Sequence, residues 1–325
     1  MSLSTLAPRE HHDARPPQQS AGTWRFPWLQ AITGLVMLVG FCVFLYPSTA
    51  AWFSQLDQSR IIEISQAELD LPPNNGAQFR ADQLARAHEY NDSLASGALF
   101  AAHSRVPVGD GDQPMGEDAY DELLNSSGTG FMGRLSYDSL DIDLPIYHGT
   151  SDDTLGTGVG HLEGTSLPVG GIGTRSVLTA HRGLPSARLF TDLNHAKAGD
   201  TFTVSVLDQV LTYRVIETRV IEPEDTESIR AQADRDLVTL VTCTPLGLNT
   251  QRIIVTGERV TPTPAADIER AQHRPGIPGF PWWAVGALAA VALLSAYVWQ
   301  AGRPRAARPE PGTAASAKGG IIMDG

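Results

Sequence analysis

Between Arg25 and Asp57 the chain carries no charged residue. The run Trp28–Phe53 is apolar almost throughout, and its central stretch Ala31–Tyr46 is bracketed by Trp28 and Trp52. A helix rises about 1.5 Å per residue, so such a run spans a hydrocarbon core of about 30 Å. The flanking tryptophans suit the headgroup layers. A second uncharged run, Pro281–Trp299, is rich in Ala, Val and Leu, with Trp282 and Trp283 at one end and Trp299 at the other. A cleaved signal peptide competes for the first run, but the run is long, lies behind a polar tail and shows no clean small-residue cleavage site. A buried soluble helix competes for the second, but Arg303, Arg305 and Arg308 follow it as a stop-transfer pattern. The reading is therefore a membrane helix over 28–53 and another over 280–300. Basic residues collect on the cytoplasmic side of a span. Arg9, Arg15 and Arg25 precede the first span and three arginines follow the second. This pattern predicts a two-pass protein of the cell membrane with cytoplasmic tails over 1–27 and 301–325 and an extracellular domain between.

Composition narrows the chemistry of that domain. The 325 residues are 42% hydrophobic and 18% charged, enough for a large packed core. A formal net charge of −12 argues against a general nucleic-acid binder, which shows basic clusters. The two cysteines cannot form a disulfide scaffold, nor by themselves close a four-ligand zinc site. Cys42 lies in mid-span and Cys243 lies outside, so a disulfide between them is geometrically excluded. No metal and no cofactor is expected.

Residues 54–132 read as an N-terminal helical region. Apolar positions recur at Ile61, Ile64 and Leu69, break at Pro72–Gly76, and resume at Ala77, Ala81, Leu84 and Ala87. A Gly/Asp/Pro-rich loop, Ser104–Glu117, precedes a short helical stretch near Tyr120–Leu124. Over 133–260 the pattern changes to short alternating runs. Strands are expected near Arg134–Leu140, Leu144–Tyr147, Ser176–Ala180, Thr201–Val206, Val210–Ile221, Leu237–Thr242 and Ile253–Val260. Short strands at this spacing predict a closed barrel or a sandwich. Residues 261–279, with four prolines, read as a linker to the second span.

Three short motifs carry chemistry. Cys243 ends a β-branched run that Pro245 cannot continue as a central ladder, so its thiol lies at a strand terminus. A buried inert cysteine is the plain alternative. His181 leaves a second strand into a Gly/Pro loop, placed like a general acid/base, though His148, His161 and His195 compete for that role. Arg252 opens a third strand, where a guanidinium presents a rigid fork of donors to a developing oxyanion. Taken singly, a surface imidazole and a surface arginine are the plain alternatives.

Together, TLVTCTP, LTAHRGLP and NTQRIIVTGERV resemble the active-site signatures of sortases, the membrane-bound cysteine transpeptidases of Gram-positive bacteria. The resemblance runs nearly continuously over Gly133–Val260 and is strongest to class C, the pilin-polymerising sortases. It implies a mostly β fold: an eight-stranded barrel with N-terminal helices, flanked here by two transmembrane helices. It implies catalytic roles for Cys243, His181 and Arg252, and cleavage of an LPXTG-like sorting signal between Thr and Gly through a thioester. The partners implied are a pilin or surface protein bearing that signal, membrane lipid, and an amine. For a pilus enzyme the amine is a pilin lysine; for a sortase that anchors surface proteins it is a peptidoglycan precursor. An inactive scaffold in pilus assembly and a hydrolytic cysteine protease are further alternatives. Class C sortases commonly carry an Asp-Pro-aromatic lid, and Gly109–Met115 has no such tripeptide. Pro114 and Met115 as a plug, with Asp110 or Asp112 paired to Arg252, are the candidate lid; an ungated loop is the alternative. Glu222, Glu224, Asp225 and Glu227 read as a solvated loop between two barrel strands, and Asp141/Asp143 as one exposed face.

Overall fold

Along several of the segments read as strands, apolar side chains alternate with polar ones, and the sheet that the strands build closes on itself. The computed structural model describes residues 23–94 and 117–304. In chain order these form α1 (Trp28–Leu69), α2 (Ala77–Ser93), α3 (Glu117–Glu122), β1 (Phe131–Tyr137), β2 (Ile142–His148), α4 (Asp152–Thr157), β3 (Val159–His161), β4 (Thr174–Thr179), β5 (Thr201–Val206), β6 (Gln209–Ile221), β7 (Asp236–Thr244), β8 (Gln251–Arg259), α5 (Ala265–Gln272) and α6 (Trp282–Ala301). The candidate lid residues Asp110, Asp112, Pro114 and Met115 lie outside the described residues.

The eight strands form a closed barrel in the order β1-β2-β3-β4-β7-β8-β6-β5, with β5 returning to β1. The β2/β3 and β4/β7 pairs are parallel and the others antiparallel. Eight strands were expected from the resemblance, and seven were read from the residue pattern. The eighth, β3, has three residues with a glycine in the middle, too short to show a period of two. Closure leaves no open sheet edge and encloses one side chain from every second position. Leu135, Tyr137, Ile146, Leu178, Val204, Leu240 and Val255 fill the interior. Phe202 and Tyr213 stack there, with ring centroids 5.7 Å apart and planes 18° apart. Gly257 lets them do so: a Cβ at that position would come within 2.5 Å of Phe202 Cε1.

A second, smaller apolar cluster lies on the outside of the barrel. Val177 of β4, Val241 of β7, Ile254 of β8 and Ile221 of β6 point outward and pack with Leu162 and Ile229. Ile229 comes from the β6–β7 connection, which therefore lies over this face.

The proline-rich run after the barrel contains α5 and is fastened down. The Arg134 fork grips Asp143 at 2.6 and 2.7 Å and donates from Nη1 to the carbonyls of Ala271 and His273. Asp143 was expected on an exposed face. Instead it is half-buried, because it balances a buried guanidinium. Asp141 is exposed and meets Arg188 at 2.9 Å.

The chain divides into two compact units, one of Val43–Val285 and one of the segments on either side. In the latter, Gly34 lies beside Leu294 and Val298. Trp24 donates to the Trp299 carbonyl at 3.2 Å, and the Arg303 guanidinium lies 3.6 Å from the centre of the Trp299 ring. Both α1 and α6 are long and apolar enough to cross a membrane. α1 continues past the apolar run to Leu69 without a break, with Pro47 inside it. In the larger unit, Trp52 donates to the Gly279 carbonyl at 2.8 Å and packs edge-on against Trp283.

Candidate active site

Strand register, rather than any loop, brings Cys243 and Arg252 together. The two are direct cross-strand partners of β7 and β8. Side chains directly opposite in an antiparallel pair have Cβ atoms about 5 Å apart. In β7, Val238 and Leu240 belong to the interior core, while Val241 belongs to the outer cluster. Alternation then points Cys243 outward. In β8, Ile253 and Val255 face inward and Ile254 outward, so Arg252 shares the outer face with the thiol. β7 stops at Thr244, one residue before Pro245, as the missing amide hydrogen requires.

His181 reaches the same row from the other side. β4 and β7 run parallel with Thr179 opposite Val241. The Ala180 amide continues the ladder by donating to the Val241 carbonyl at 3.2 Å, and Thr242 Oγ1 returns a bond to the Ala180 carbonyl at 2.8 Å. Continued by two residues, this register sets His181 level with Cys243 on the outer face. His181, Cys243 and Arg252 thus form one row across β4, β7 and β8, and all three are half-buried. One pleat along the strands, Val241 and Ile254 continue the outer face as an apolar floor, with Thr179 beside Val241. The β6–β7 connection walls it through Ile229.

The competing histidines are elsewhere. His161 is fully buried, with Nδ1 accepting from Tyr120 at 2.8 Å and Nε2 donating to the Ser166 carbonyl at 2.9 Å. Burial, the dominant cause, pushes it down to about 4. It is a satisfied core histidine. His148 sets both ring nitrogens against backbone carbonyls, those of Gly130 and Leu123. His195 is exposed beside Asp192.

The burial of His161 has a measurable consequence. The unfolded ring takes a proton near pH 6.5, the folded ring only near 4. Between those values the unfolded chain holds the extra proton, so stability falls as pH falls. The loss across the window amounts to about 3 kcal/mol. Asp236, held above the usual carboxylate range by burial, acts in the opposite direction, so the informative quantity is a difference. Chemical denaturation of the detergent-solubilised chain at pH values descending from 7 to 4 should show wild type losing about 3 kcal/mol more than His161→Gln.

Electrostatically the outer face is cationic near the row. Arg252 donates from Nη1 to the carbonyls of Asn249 and Gln251, and among the described residues no carboxylate pairs with it. Arg182 is a second guanidinium nearby, bonded to Thr244 Oγ1, and alternation turns Thr244 away from the outer face. Further along the face Arg175 is buried, donating to the Ser228 carbonyl at 2.5 Å. Burial, followed by the proximity of Arg235, pushes it down to about 10. The acidic loop is engaged locally: Asp225 accepts from the Ser228 hydroxyl at 2.7 Å, which lowers its pKa, and Glu222 accepts from Gln251 at 2.7 Å. Among the described residues no group of three His, Cys, Asp or Glu could hold a metal ion.

Sequence reading overlooked the outer apolar floor and Arg182. The floor was hidden because strands buried on both faces lose their alternation. Arg182 carried a faint signal, a cation directly after His181 with no acid nearer along the chain than Asp192.

A thiol, an imidazole and a guanidinium in one row suit acyl transfer by a nucleophile, with proton transfer on one side and anion stabilisation on the other. Comparisons with known proteins agree. Residues 135–260 match the sortase domain family. The chain is similar to the crystal structure of sortase C-1 from Actinomyces oris, at 47% identity and a TM-score of 0.51, covering 55% of this chain and 98% of that one. It is similar to sortase C1 from Streptococcus agalactiae at 38% identity and a TM-score of 0.55, covering 63% of this chain and 100% of that one. It is 30% identical over 132 residues to Sortase D of Bacillus subtilis (strain 168), covering 40% of this chain. That match spans 64% of the Bacillus protein, and the match to Sortase A of Streptococcus agalactiae serotype III (strain NEM316) spans 52% of it.

Proposed function

The chain belongs to the sortase family, and on that premise we propose that it is a class C transpeptidase. In this reading it cleaves an LPXTG-like sorting signal between Thr and Gly and joins the threonine to an amine, a pilin lysine. The observation that carries the reading is the single row of His181, Cys243 and Arg252 over an apolar floor. The solved class C sortases of similar sequence support the pilin assignment.

The Cys243 thiolate attacks the threonine carbonyl carbon, forming a C–S bond and a tetrahedral oxyanion. Arg252 donates to the oxyanion, because its fork stays charged. As the C–N bond breaks, His181 in its imidazolium form protonates the leaving glycine amine. Neutral His181 then takes a proton from the lysine ε-amine as it attacks the thioester. The products are an isopeptide bond and the free thiol. With α1 and α6 as membrane spans, both termini are cytoplasmic and the barrel faces outward.

The test is incubation of the full chain in detergent with an LPXTG-type peptide, with and without an amine acceptor, followed by mass analysis. Ligated product is expected. Cleaved acid alone, with acceptor present, would overturn transpeptidation in favour of hydrolysis. A pilin-lysine peptide is expected to outcompete a peptidoglycan-type amine as acceptor; the reverse order would make this an anchoring enzyme.

A further inference from the structure

The residue after His181 and the residue after Cys243 are tied together by one side chain. Arg182 donates from Nη1 to Thr244 Oγ1 at 3.2 Å. From Nε it donates to the Thr191 carbonyl at 3.1 Å, and from Nη2 to Asn194 Oδ1 at 3.0 Å. Among the described residues, every partner is neutral. The same turn is pinned further by the Phe190 amide donating to the His181 carbonyl and by the Gly183 amide donating to Thr191 Oγ1. Gly183 is left-handed, with φ of +73°, and a Cβ there would collide with Leu246 from the β7–β8 loop. The turn that carries the imidazole and the loop that follows the thiol are therefore packed and bonded as one piece.

We propose that Arg182 is a positioning residue for acyl transfer. It locks the His181 turn to the Cys243 strand end and so holds the imidazole and the thiol in one relative position. The inference rests on Cys243 being the nucleophile proposed above. A lysine cannot replace the fork, since three acceptors in different directions need a planar guanidinium. A lysine does keep the charge, so position and charge can be separated. Among the described residues, the other ionisable groups around the thiol are His181 at the end of β4, Arg252 on β8, and Glu222 beyond β6. Asp192 and His195 flank Asn194, and Asp192 is engaged by Arg188.

The test uses the full chain in detergent, in a Cys42→Ala background so that a thiol reagent reports Cys243 alone. Iodoacetamide labelling shows whether Cys243 is reachable without needing a substrate. Arg182→Ala is expected to slow thioester formation from a sorting peptide about ten-fold per folded enzyme, with KM unchanged. Arg182→Lys, which keeps the charge but not the fork, should not recover the rate. Thr244→Val, which removes one acceptor and no charge, should slow thioester formation with KM unchanged. A purely structural arginine would lower the folded fraction and leave the rate per folded enzyme untouched. That result in Arg182→Ala, or full rescue by Arg182→Lys, would overturn the proposal. A wild-type chain that labels normally but forms no thioester would instead refute the transpeptidase reading.

Discussion

Cys243→Ala is expected to abolish covalent capture of a sorting peptide and to lower turnover by at least about 10⁴-fold, because removing a nucleophile removes the covalent path altogether. Intact mass after incubation with peptide reads the first, and ligation rate the second. The fold should survive. The side chain is half-buried at a strand end, and losing one sulfur there costs on the order of 1 kcal/mol. Cys42, with its thiol in the first apolar helix, gives an internal control: Cys42→Ala should leave capture unchanged. Residual thioester in Cys243→Ala would move the nucleophile elsewhere and dissolve the argument from the row.

Arg252→Ala is expected to lower kcat by about 10²–10³-fold, the cost of removing one preorganised oxyanion donor. Two features of the structure favour an effect on kcat over one on KM. Arg252 sits directly opposite Cys243 in the ladder, and its Nη1 is held by the carbonyls of Asn249 and Gln251. The guanidinium is thus oriented before substrate arrives, which is what makes such a donor effective in the transition state. Arg252→Lys should recover only part of the loss, because a point charge lacks the second donor of the fork. Single-turnover thioester formation at varied peptide concentration separates the two constants. A rise in KM with kcat unchanged would reassign Arg252 to holding the substrate backbone.

The sulfur and guanidinium were legible in the sequence because both sit on β-branched runs bounded by a proline or a loop. Those runs could only be strands, and β7 and β8 are where they were expected. The strand leading to His181 was equally plain, but its choice over His148, His161 and His195 leaned on the resemblance. The structure shows how the other three differ. His161 is enclosed as a neutral ring, His148 is committed to two carbonyls, and His195 lies off the row. β3 escaped notice because three residues show no periodicity. Asp143 was misjudged because an acid in an alternating pattern looks solvated until its partner, Arg134, is known to be buried.

By itself, then, the order of residues determined the apolar helices, the strands and the chemical types at their ends. These are local properties: a long uncharged run, a period of two, a proline that stops a ladder. Tertiary structure alone decided which ends meet. Closing the barrel in the order β4-β7-β8 brings together residues 181, 243 and 252, because register is set between strands rather than along one. It also decided that the uncharged stretch beginning at Trp28 opens a helix that runs on to Leu69, beyond its apolar part. Hydropathy marks where a segment meets lipid, whereas packing and backbone hydrogen bonds decide where a helix ends.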